Sequence, residues 1–187
     1  MNDFTGKVAL VTGGSRGIGR AIARAFLERG ASVAITATTQ ERADEAARSF
    51  ESDRARGYAG AAADVVKAVL KDHDRVDILV CNAGITRDQL VLGMPDEEWQ
   101  AVLDVNLTGA FRMIQALYRT FMRQRSGRIV TMSSAQPELM VAVTVRKSGQ
   151  SLSKTQLNDG VSGQTPGEIA PQVWPLTGVA SGVSRIS

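Results

Sequence analysis

The sequence predicts an α/β fold with a doubly wound parallel sheet, and three observations lead to this prediction. Short apolar runs of strand length alternate with segments of helical period over the first two thirds of the chain. Such alternation is typical of a parallel sheet with helices on both faces. Three glycines, Gly13, Gly17 and Gly19, follow the first apolar run. A length of 187 residues suits a substantial core, so residues 1–187 are expected to form a single domain.

The individual elements follow from the apolar runs and from the turn residues between them. Strands are predicted over residues 7–12, 32–37, 57–63, 76–81 and 128–133. Helices are predicted over residues 17–29, 40–50, 96–105 and 106–124, with a shorter helical pattern after residue 65. The run 139–145 is a candidate for one more strand. Beyond Arg146 no period is evident, and an irregular tail is expected.

The connection between the third and fourth predicted strands is short. Only the ten residues 66–75 separate Val65, where the third strand is expected to end, from Val76. A parallel crossover that contains a helix needs at least about 10–12 residues. In the sheet order 3-2-1-4-5 this crossover also passes two other strands. We therefore expect either a clipped helix or a displaced third strand.

The glycine-rich turn after the first strand predicts a dinucleotide site. Gly13 permits a sharp turn, Gly17 permits the backbone to approach a pyrophosphate, and Gly19 permits close packing of the helix on the strand. Unpaired N–H groups of the first helical turn would face the anion. Taken alone, the glycines are equally consistent with an ordinary strand–turn–helix.

The residues after the second strand favour NADP(H) over NAD(H). Proteins that bind NAD usually place an acidic residue there to bind the ribose hydroxyls. Residues 36–39 read Thr-Ala-Thr-Thr, the first acid is Glu41, and Arg16 lies in the glycine turn. A 2′-phosphate would meet Arg16 and hydroxyls such as that of Thr38 instead of a repelling carboxylate. An Arg16 that only points into solvent is the alternative.

Composition narrows the class of protein. The net charge of +3 is too small to indicate nucleic-acid binding, and no apolar run has membrane-spanning length. The first six residues lack the pattern of a signal peptide. The only cysteine, Cys81, fits a reducing compartment, so a cytoplasmic location is expected. Nothing in the sequence predicts a metal site.

Five ordered motifs resemble the short-chain dehydrogenase/reductase family. They are residues 12–19, 64–65, 81–84, 104–106 and 128–134. Residues 36–38, 85–88 and 96–99 are similar to the bacterial 3-oxoacyl-[acyl-carrier-protein] reductases within that family. The resemblance covers residues 4–134, the expected dinucleotide-binding core with a Rossmann-like fold. Residues 135–187 diverge from it.

The resemblance implies where the coenzyme binds. Residues 12–19 would hold the pyrophosphate and the adenosine ribose, Asp64 and the Val65 backbone would contact adenine, and residues 82–84 would lie beside the adenosine. The full set of implied coenzyme-binding residues is Thr12, Gly13, Ser15, Arg16, Gly17, Ile18, Gly19, Thr38, Asp64, Val65, Asn82, Ala83 and Gly84.

The resemblance also implies three catalytic residues. Ser134 matches the serine that orients the substrate carbonyl, with Ser133 as the alternative one position earlier. Asn106 matches the asparagine that helps to hold a water linking the family's lysine to solvent. Lys154 lies in a local setting similar to that of this lysine.

The general acid of the family is not matched. It is a tyrosine four residues before the lysine, but the chain has only Tyr58 and Tyr118, both before Ser134. Gln150 stands four residues before Lys154. Counting forward from Ser134 instead brings Lys147 near the tyrosine position. Tyr118 is interpreted as a core or interface residue of its helix.

Two functions therefore remain open. The first is an NADP(H)-dependent carbonyl reductase of fatty acid biosynthesis that acts on 3-oxoacyl thioesters, free or carrier-bound. The second is a non-catalytic NADP(H)-binding protein, or a defective chain without the catalytic tyrosine. Arg123, Arg125 and Arg128 would suit an acidic carrier protein, although a solvated helix end also explains them. Family members form homo-oligomers, and the shortened end predicts an exposed apolar stripe on the helix 106–124.

Overall fold

The computed structural model of the chain describes residues 4–88, 90–132 and 140–145. The strands are β1 (Val8–Val11), β2 (Ser32–Thr36), β3 (Ala55–Tyr58), β4 (Ile78–Cys81), β5 (Gly127–Met132) and β6 (Met140–Val145). The helices are α1 (Gly17–Glu28), α2 (Gln40–Arg48), α3 (Ala62–His73), α4 (Asp96–Leu103) and α5 (Gly109–Gln124). A 3-10 turn at Val91–Gly93 precedes α4.

The strands form one sheet of order β3-β2-β1-β4-β5-β6. The first five are parallel, which confirms the doubly wound α/β fold and the predicted strand order. The sixth strand lies within the apolar run 139–145, as predicted, and it pairs antiparallel with β5. The turns that follow β1 to β5 therefore share the carboxyl edge of the sheet, where ligands bind in open α/β folds.

Alternate residues of each strand enter separate cores on the two faces of the sheet. Ala9 and Val11 pack with residues of α1 and α2, including Ala23, Leu27 and Ala46. Leu10 and Leu79 pack on the opposite face with residues of α3 and α5, including Val69, Leu117 and Phe121. All of these side chains are buried, so the central strands contact protein on both faces.

The third strand lies earlier in the chain than predicted. β3 ends at Tyr58, so the prediction of a strand over 57–63 is wrong, as is the prediction that it ends at Asp64 and Val65. Both of those residues lie in the first turn of α3, which has twelve residues and is not clipped. Val65, Val66 and Val69 are spaced for a helix and bury one face of it, and this pattern determines where the helix begins. Of the two expectations, the displaced strand is confirmed.

The two helices predicted at 96–105 and 106–124 are joined without an extended break. α4 continues into a π-helical turn at Asp104–Thr108, and that turn continues into α5. Asn106 lies at the centre of this turn.

An ion-pair network fixes the amino edge of the sheet. The buried carboxylate of Asp77 accepts hydrogen bonds from Arg75 Nε at 2.8 Å, from the Val8 backbone N–H at 3.0 Å and from Lys7 Nζ at 3.4 Å. Burial alone would raise the pKa of Asp77, but these bonds and the two positive charges outweigh it and lower the pKa. The network therefore ties the start of β1 to β4.

Gln40, the first residue of α2, connects that helix to the outer strand. Its Nε2 donates to the Gly57 carbonyl at 3.0 Å and to Asp44 Oδ1 at 2.8 Å. Its Oε1 accepts from the Ala59 N–H at 3.0 Å.

Among the described residues, no helix is long and apolar enough to span a bilayer.

Candidate coenzyme site

Thr12 joins the ends of β1 and β4 at the carboxyl edge of the sheet. Its buried hydroxyl donates to the Val80 carbonyl at 3.3 Å. The same oxygen accepts from the backbone N–H groups of Asn82 and Ala83, each at 3.0 Å. Its place is thus structural, and it fixes two loops of the site relative to each other.

The glycines of the turn fall into two groups. Gly13 and Gly17 have φ values of +64° and +55°, the left-handed region in which glycine is favoured. A Cβ on Gly19 would overlap the Gly13 carbonyl and the Asn82 amide, so this glycine is required for packing. A Cβ on Gly17 would meet nothing within 4 Å. The Gly17 backbone therefore faces open space at the surface where a ligand would bind.

The amino end of α1 fits an anion. It carries no side-chain cap and no acidic residue in its first turn. Within the described part of the chain, no acceptor receives a hydrogen bond from the N–H groups of residues 15–18. These donors lie at the positive end of the helix dipole, so the residues present fit the pyrophosphate of a dinucleotide. The contacts of Ser15, Arg16, Gly17 and Ile18 with a coenzyme stay a prediction.

The end of β2 lies directly against the glycine turn. The Gly13 N–H donates to Thr36 Oγ1 at 3.2 Å, and the Gly14 N–H donates to the Thr36 carbonyl at 3.1 Å. Arg16 and Thr38 are both exposed on these adjoining loops. Thr38 Oγ1 accepts a hydrogen bond of 3.2 Å from Nη1 of Arg42. Arg42 carries no signal in the sequence. It lies four residues after Thr38, in the first turn of α2, and its side chain reaches back to the Thr38 hydroxyl.

The residues predicted to contact adenine do not follow β3. Val65 is buried in the core of α3, and Asp64 is exposed in its first turn. The chain after Tyr58 instead continues through Ala59, Gly60 and Ala61, where Gly60 has a φ of +127°. These three residues occupy the carboxyl end of β3, beside β2, that the sequence analysis assigned to Asp64 and Val65.

Asn82 and Asn106 organise the loop after β4. Asn82 Nδ2 donates to the carbonyls of Thr12 at 3.0 Å and Gly13 at 3.3 Å, so its amide supports the glycine turn. Asn106 forms a reciprocal pair with Ile85: its Oδ1 accepts from the Ile85 N–H at 2.8 Å, and its Nδ2 donates to the Ile85 carbonyl at 2.9 Å. Ala83 and the adjoining Gly84 are exposed between these two amides. π-Helical turns such as the one that holds Asn106 are frequent at functional sites.

Comparison with known proteins identifies this arrangement. The sequence model of the family described as short chain dehydrogenase matches residues 7–145, well over half of the chain. The chain belongs to the short-chain dehydrogenase family. Within the family it is similar to the 3-oxoacyl-[acyl-carrier-protein] reductases FabG of Vibrio cholerae serotype O1 and Escherichia coli K12. Each of these is 44% identical over 138 residues, which are 71% of this chain and 56% of the relative.

A third relative, FabG of Vibrio harveyi, is 45% identical over the same number of residues, 138. The chain therefore matches a little over half the length of these curated short-chain dehydrogenases. Three family positions, Ser133, Ser134 and Lys154, lie outside the described residues, as do Lys147 and Gln150.

The two tyrosines do not occupy the place of a short-chain dehydrogenase general acid. Tyr58 is buried at the end of β3, three strands and about 14 Å from β4. Burial, and then its 2.8 Å hydrogen bond to Asp72, raise the pKa of Tyr58 far above the ordinary value, whereas a general acid needs a lowered one. Tyr118 is 42% exposed on α5, so of its two interpretations the core residue is wrong, and the interface residue stays a prediction.

Cys81 is not a reactive thiol. It is buried at the end of β4, and burial raises the pKa of the thiol to about 12. The sulfur is therefore protonated at neutral pH and behaves as a small apolar side chain.

Proposed function

We propose that this chain binds NADP(H) and functions in the reduction of a 3-oxoacyl thioester, free or attached to an acyl carrier protein. The observation that carries the proposal is the amino end of α1, which offers free N–H groups and no acidic residue behind a glycine turn. The names of the 44%-identical relatives support the 3-oxoacyl substrate. Fatty acid biosynthesis in the cytoplasm is the corresponding role.

The preference for the phosphorylated coenzyme rests on charge. Arg16 is exposed on the glycine turn, Thr38 is exposed on the adjoining loop after β2, and no acidic residue lies within residues 36–39. A 2′-phosphate would receive hydrogen bonds there, whereas the two ribose hydroxyls of NAD(H) would lack their usual carboxylate acceptor. Adenine would lie over residues 59–61 at the end of β3, and Ala83 and Gly84 would line the opposite side.

For the reaction, the bound NADPH supplies a hydride to the 3-oxo carbon. Ser134 would donate a hydrogen bond to the carbonyl oxygen, which polarises the carbonyl. Asn106 would keep the loop at Ile85 in position and support proton relay together with Lys154. The proton for the developing alkoxide would have to come from a group other than Tyr58 or Tyr118.

The positions of these tyrosines favour a second function, a non-catalytic NADP(H)-binding protein or a defective chain. Tyr58 is engaged by Asp72, and Tyr118 lies about 14 Å along α5 from its beginning near the carboxyl edge. Binding without turnover is the expected behaviour under this second function.

The test compares binding with turnover. Purified full-length protein is titrated with NADPH and with NADH by fluorescence, and NADPH oxidation is then followed with an acetoacetyl thioester. Tighter binding of NADPH together with turnover that Ser134→Ala removes supports the reductase. Saturable binding with no turnover above background supports the second function, and an absence of binding to a cooperatively folded chain contradicts both.

A homo-oligomer formed through α5 is part of the proposal. Leu107, Phe111, Tyr118 and Met122 recur along one stripe of this helical run and are 38–66% exposed. A stripe of this kind is typical of an association surface. Light scattering coupled to gel filtration measures the mass directly, and a monomer at all concentrations contradicts this part.

A further inference from the structure

Arg42 is a cation at the coenzyme edge of the sheet that the proposed function does not yet use. It belongs to the first turn of α2, and its side chain returns toward β2, where Nη1 lies 3.2 Å from Thr38 Oγ1. Arg42 and Thr38 are both exposed. The guanidinium therefore lies at the loop that separates β2 from α2, the loop that would meet the adenosine ribose.

The local charges leave this guanidinium available. Among the described residues no carboxylate forms an ion pair with Arg42. A cation near the amino end of a helix also opposes the helix dipole, at a cost of a few tenths of a kcal/mol or more. Such a departure from the local rule is characteristic of functional positions, and a bound anion would remove its cost.

The hydrogen bond between Arg42 and Thr38 leaves further hydrogen-bond donors on both side chains. Because Thr38 Oγ1 accepts from Arg42, the hydroxyl proton is free to donate to a further acceptor. Four N–H donors of the guanidinium remain beyond the one used, in a fixed planar fork. A phosphate oxygen at this point would thus accept from a hydroxyl and from a guanidinium together, which are charge-assisted contacts.

We propose that Arg42 is a specificity-determining residue that binds the 2′-phosphate of NADP(H) together with Thr38. The proposal rests on the proposed function, and it adds a second cation to Arg16, which lies on the adjoining loop. Arg42 acts on the phosphate that distinguishes the two coenzymes and makes no contact with the reacting carbons. Its loss should therefore change coenzyme preference without a comparable change in NADH binding.

Glu41 provides the competing arrangement, because its carboxylate could bind the ribose hydroxyls of NAD(H). Hydrogen bonds from the Glu41 N–H and then from the Thr39 hydroxyl hold the pKa of this carboxyl below its ordinary value, which favours the charged form. Under the Arg42 proposal, Glu41 only repels the phosphate. Glu41→Gln is then expected to tighten NADPH binding and to leave NADH binding unchanged.

The experiment measures dissociation constants of the full-length protein for NADPH, NADH, 2′,5′-ADP and 5′-AMP. Arg42→Gln is expected to weaken NADPH and 2′,5′-ADP about tenfold, while NADH and 5′-AMP change less than about twofold. Arg42→Lys, which retains the charge and loses the planar fork, should fall between the two. Arg48→Gln is the matched control, since Arg48 is exposed in the last turn of the same helix.

The outcomes separate the two proposals. If wild type prefers NADPH and Arg42→Gln retains that preference, the role of Arg42 is overturned while the proposed function stands. Equal weakening of all four ligands also overturns it, because that is the signature of a structural role. If wild type binds NADH at least as tightly as NADPH, both the NADP(H) preference and the role of Arg42 are refuted. If wild type prefers NADPH but Glu41→Gln weakens NADH, Glu41 contacts the ribose at this point, and the role of Arg42 is overturned while the NADP(H) preference stands.

Discussion

The two halves of the carboxyl edge are built differently. In the half that contains the glycine turn, α1 buries Gly19, Ala23 and Leu27 against the sheet, and the Thr12 hydroxyl joins the loops after β1 and β4. At the other half, α4 and the π-helical turn after it bury no residue. Large apolar side chains there are exposed, namely Leu90, Leu92, Trp99 and Leu107.

This difference separates a preformed site from one that is held at few points. The glycine turn is positioned by backbone and side-chain bonds to β2 and β4, so it needs no ligand to adopt its shape. In the described part of residues 86–108, Asn106 ties the region to the loop after β4 through its pair of bonds with Ile85. Local opening should therefore cost much less free energy on this side.

The same substitution in both halves gives the largest expected difference. Gly19→Ala adds a Cβ that would overlap backbone and the Asn82 amide, and we expect it to lower the free energy of unfolding by about 2 kcal/mol. Gly93→Ala adds a Cβ with nothing within 4 Å, and we expect a change below about 0.5 kcal/mol. Urea denaturation of the two variants measures both values.

The affinity for NADPH gives a second measurement that separates Gly19→Ala from Gly93→Ala. Because Gly19 packs on the Asn82 amide that supports the turn, Gly19→Ala should also weaken NADPH, whereas Gly93→Ala should leave it unchanged. Similar losses of stability in the two variants would show that the halves are equally well packed, contrary to the comparison.

Asp77→Asn gives the next largest expected loss of stability. It acts on both halves, because Asp77 bonds the start of β1 and directly precedes β4, the strand next to β1 in the sheet. The pKa of Asp77 is lowered in the folded protein, so the ionised carboxylate stabilises the fold above the unfolded pKa. Asp77→Asn should therefore cost about 1–2 kcal/mol at neutral pH.

The same linkage gives the pH dependence its sign. The contribution of Asp77 is lost as pH falls through its lowered pKa, so wild type and Asp77→Asn should converge as pH is brought below the ordinary aspartate pKa of 3.8. Urea midpoints measured across this range test the prediction. A difference that stays constant with pH would mean that the charge of Asp77 contributes nothing.

Asn106→Ala gives the smallest effect on global stability and the most localised one. Asn106 is exposed, so loss of its two bonds to Ile85 should lower the free energy of unfolding by less than about 1 kcal/mol. Hydrogen exchange should quicken at the Ile85 N–H and around the π-helical turn while residues of β1 remain protected. Uniformly faster exchange would instead place Asn106 among the residues that hold the whole fold.

The regular part of the fold could be predicted from the sequence because its signals are local. Apolar runs identify the parallel strands, and the spacing of Val65, Val66 and Val69 indicates a helical face. The end of β3 could not be predicted in this way, since Ala55–Tyr58 contains one large apolar side chain and the following alanines suit either element. The family resemblance at Asp64 and Val65 predicts the end of a strand, whereas the spacing of Val65, Val66 and Val69 predicts a helix. The structure has the helix.

The site shows the same division. The glycine turn is legible because each glycine has a backbone reason to be there, as the φ values of Gly13 and Gly17 illustrate. Arg42 was missed because its importance lies in where a long side chain ends, four residues back along the chain at Thr38. Likewise, the reciprocal bonds of Asn106 join residues 21 positions apart, and no spacing rule connects them.

The contacts of Gln40 have a consequence for self-association. β3 is the outermost strand on its side of the sheet, and it bonds to β2 through residues such as Arg54 and Tyr58. The Gly57 carbonyl and the Ala59 N–H face the other way, and there the Gln40 amide donates to the Gly57 carbonyl and accepts from the Ala59 N–H, as a neighbouring strand would. The Gln40 side chain thus occupies hydrogen-bonding groups that a second polypeptide would need in order to extend the sheet, and it opposes edge-to-edge aggregation.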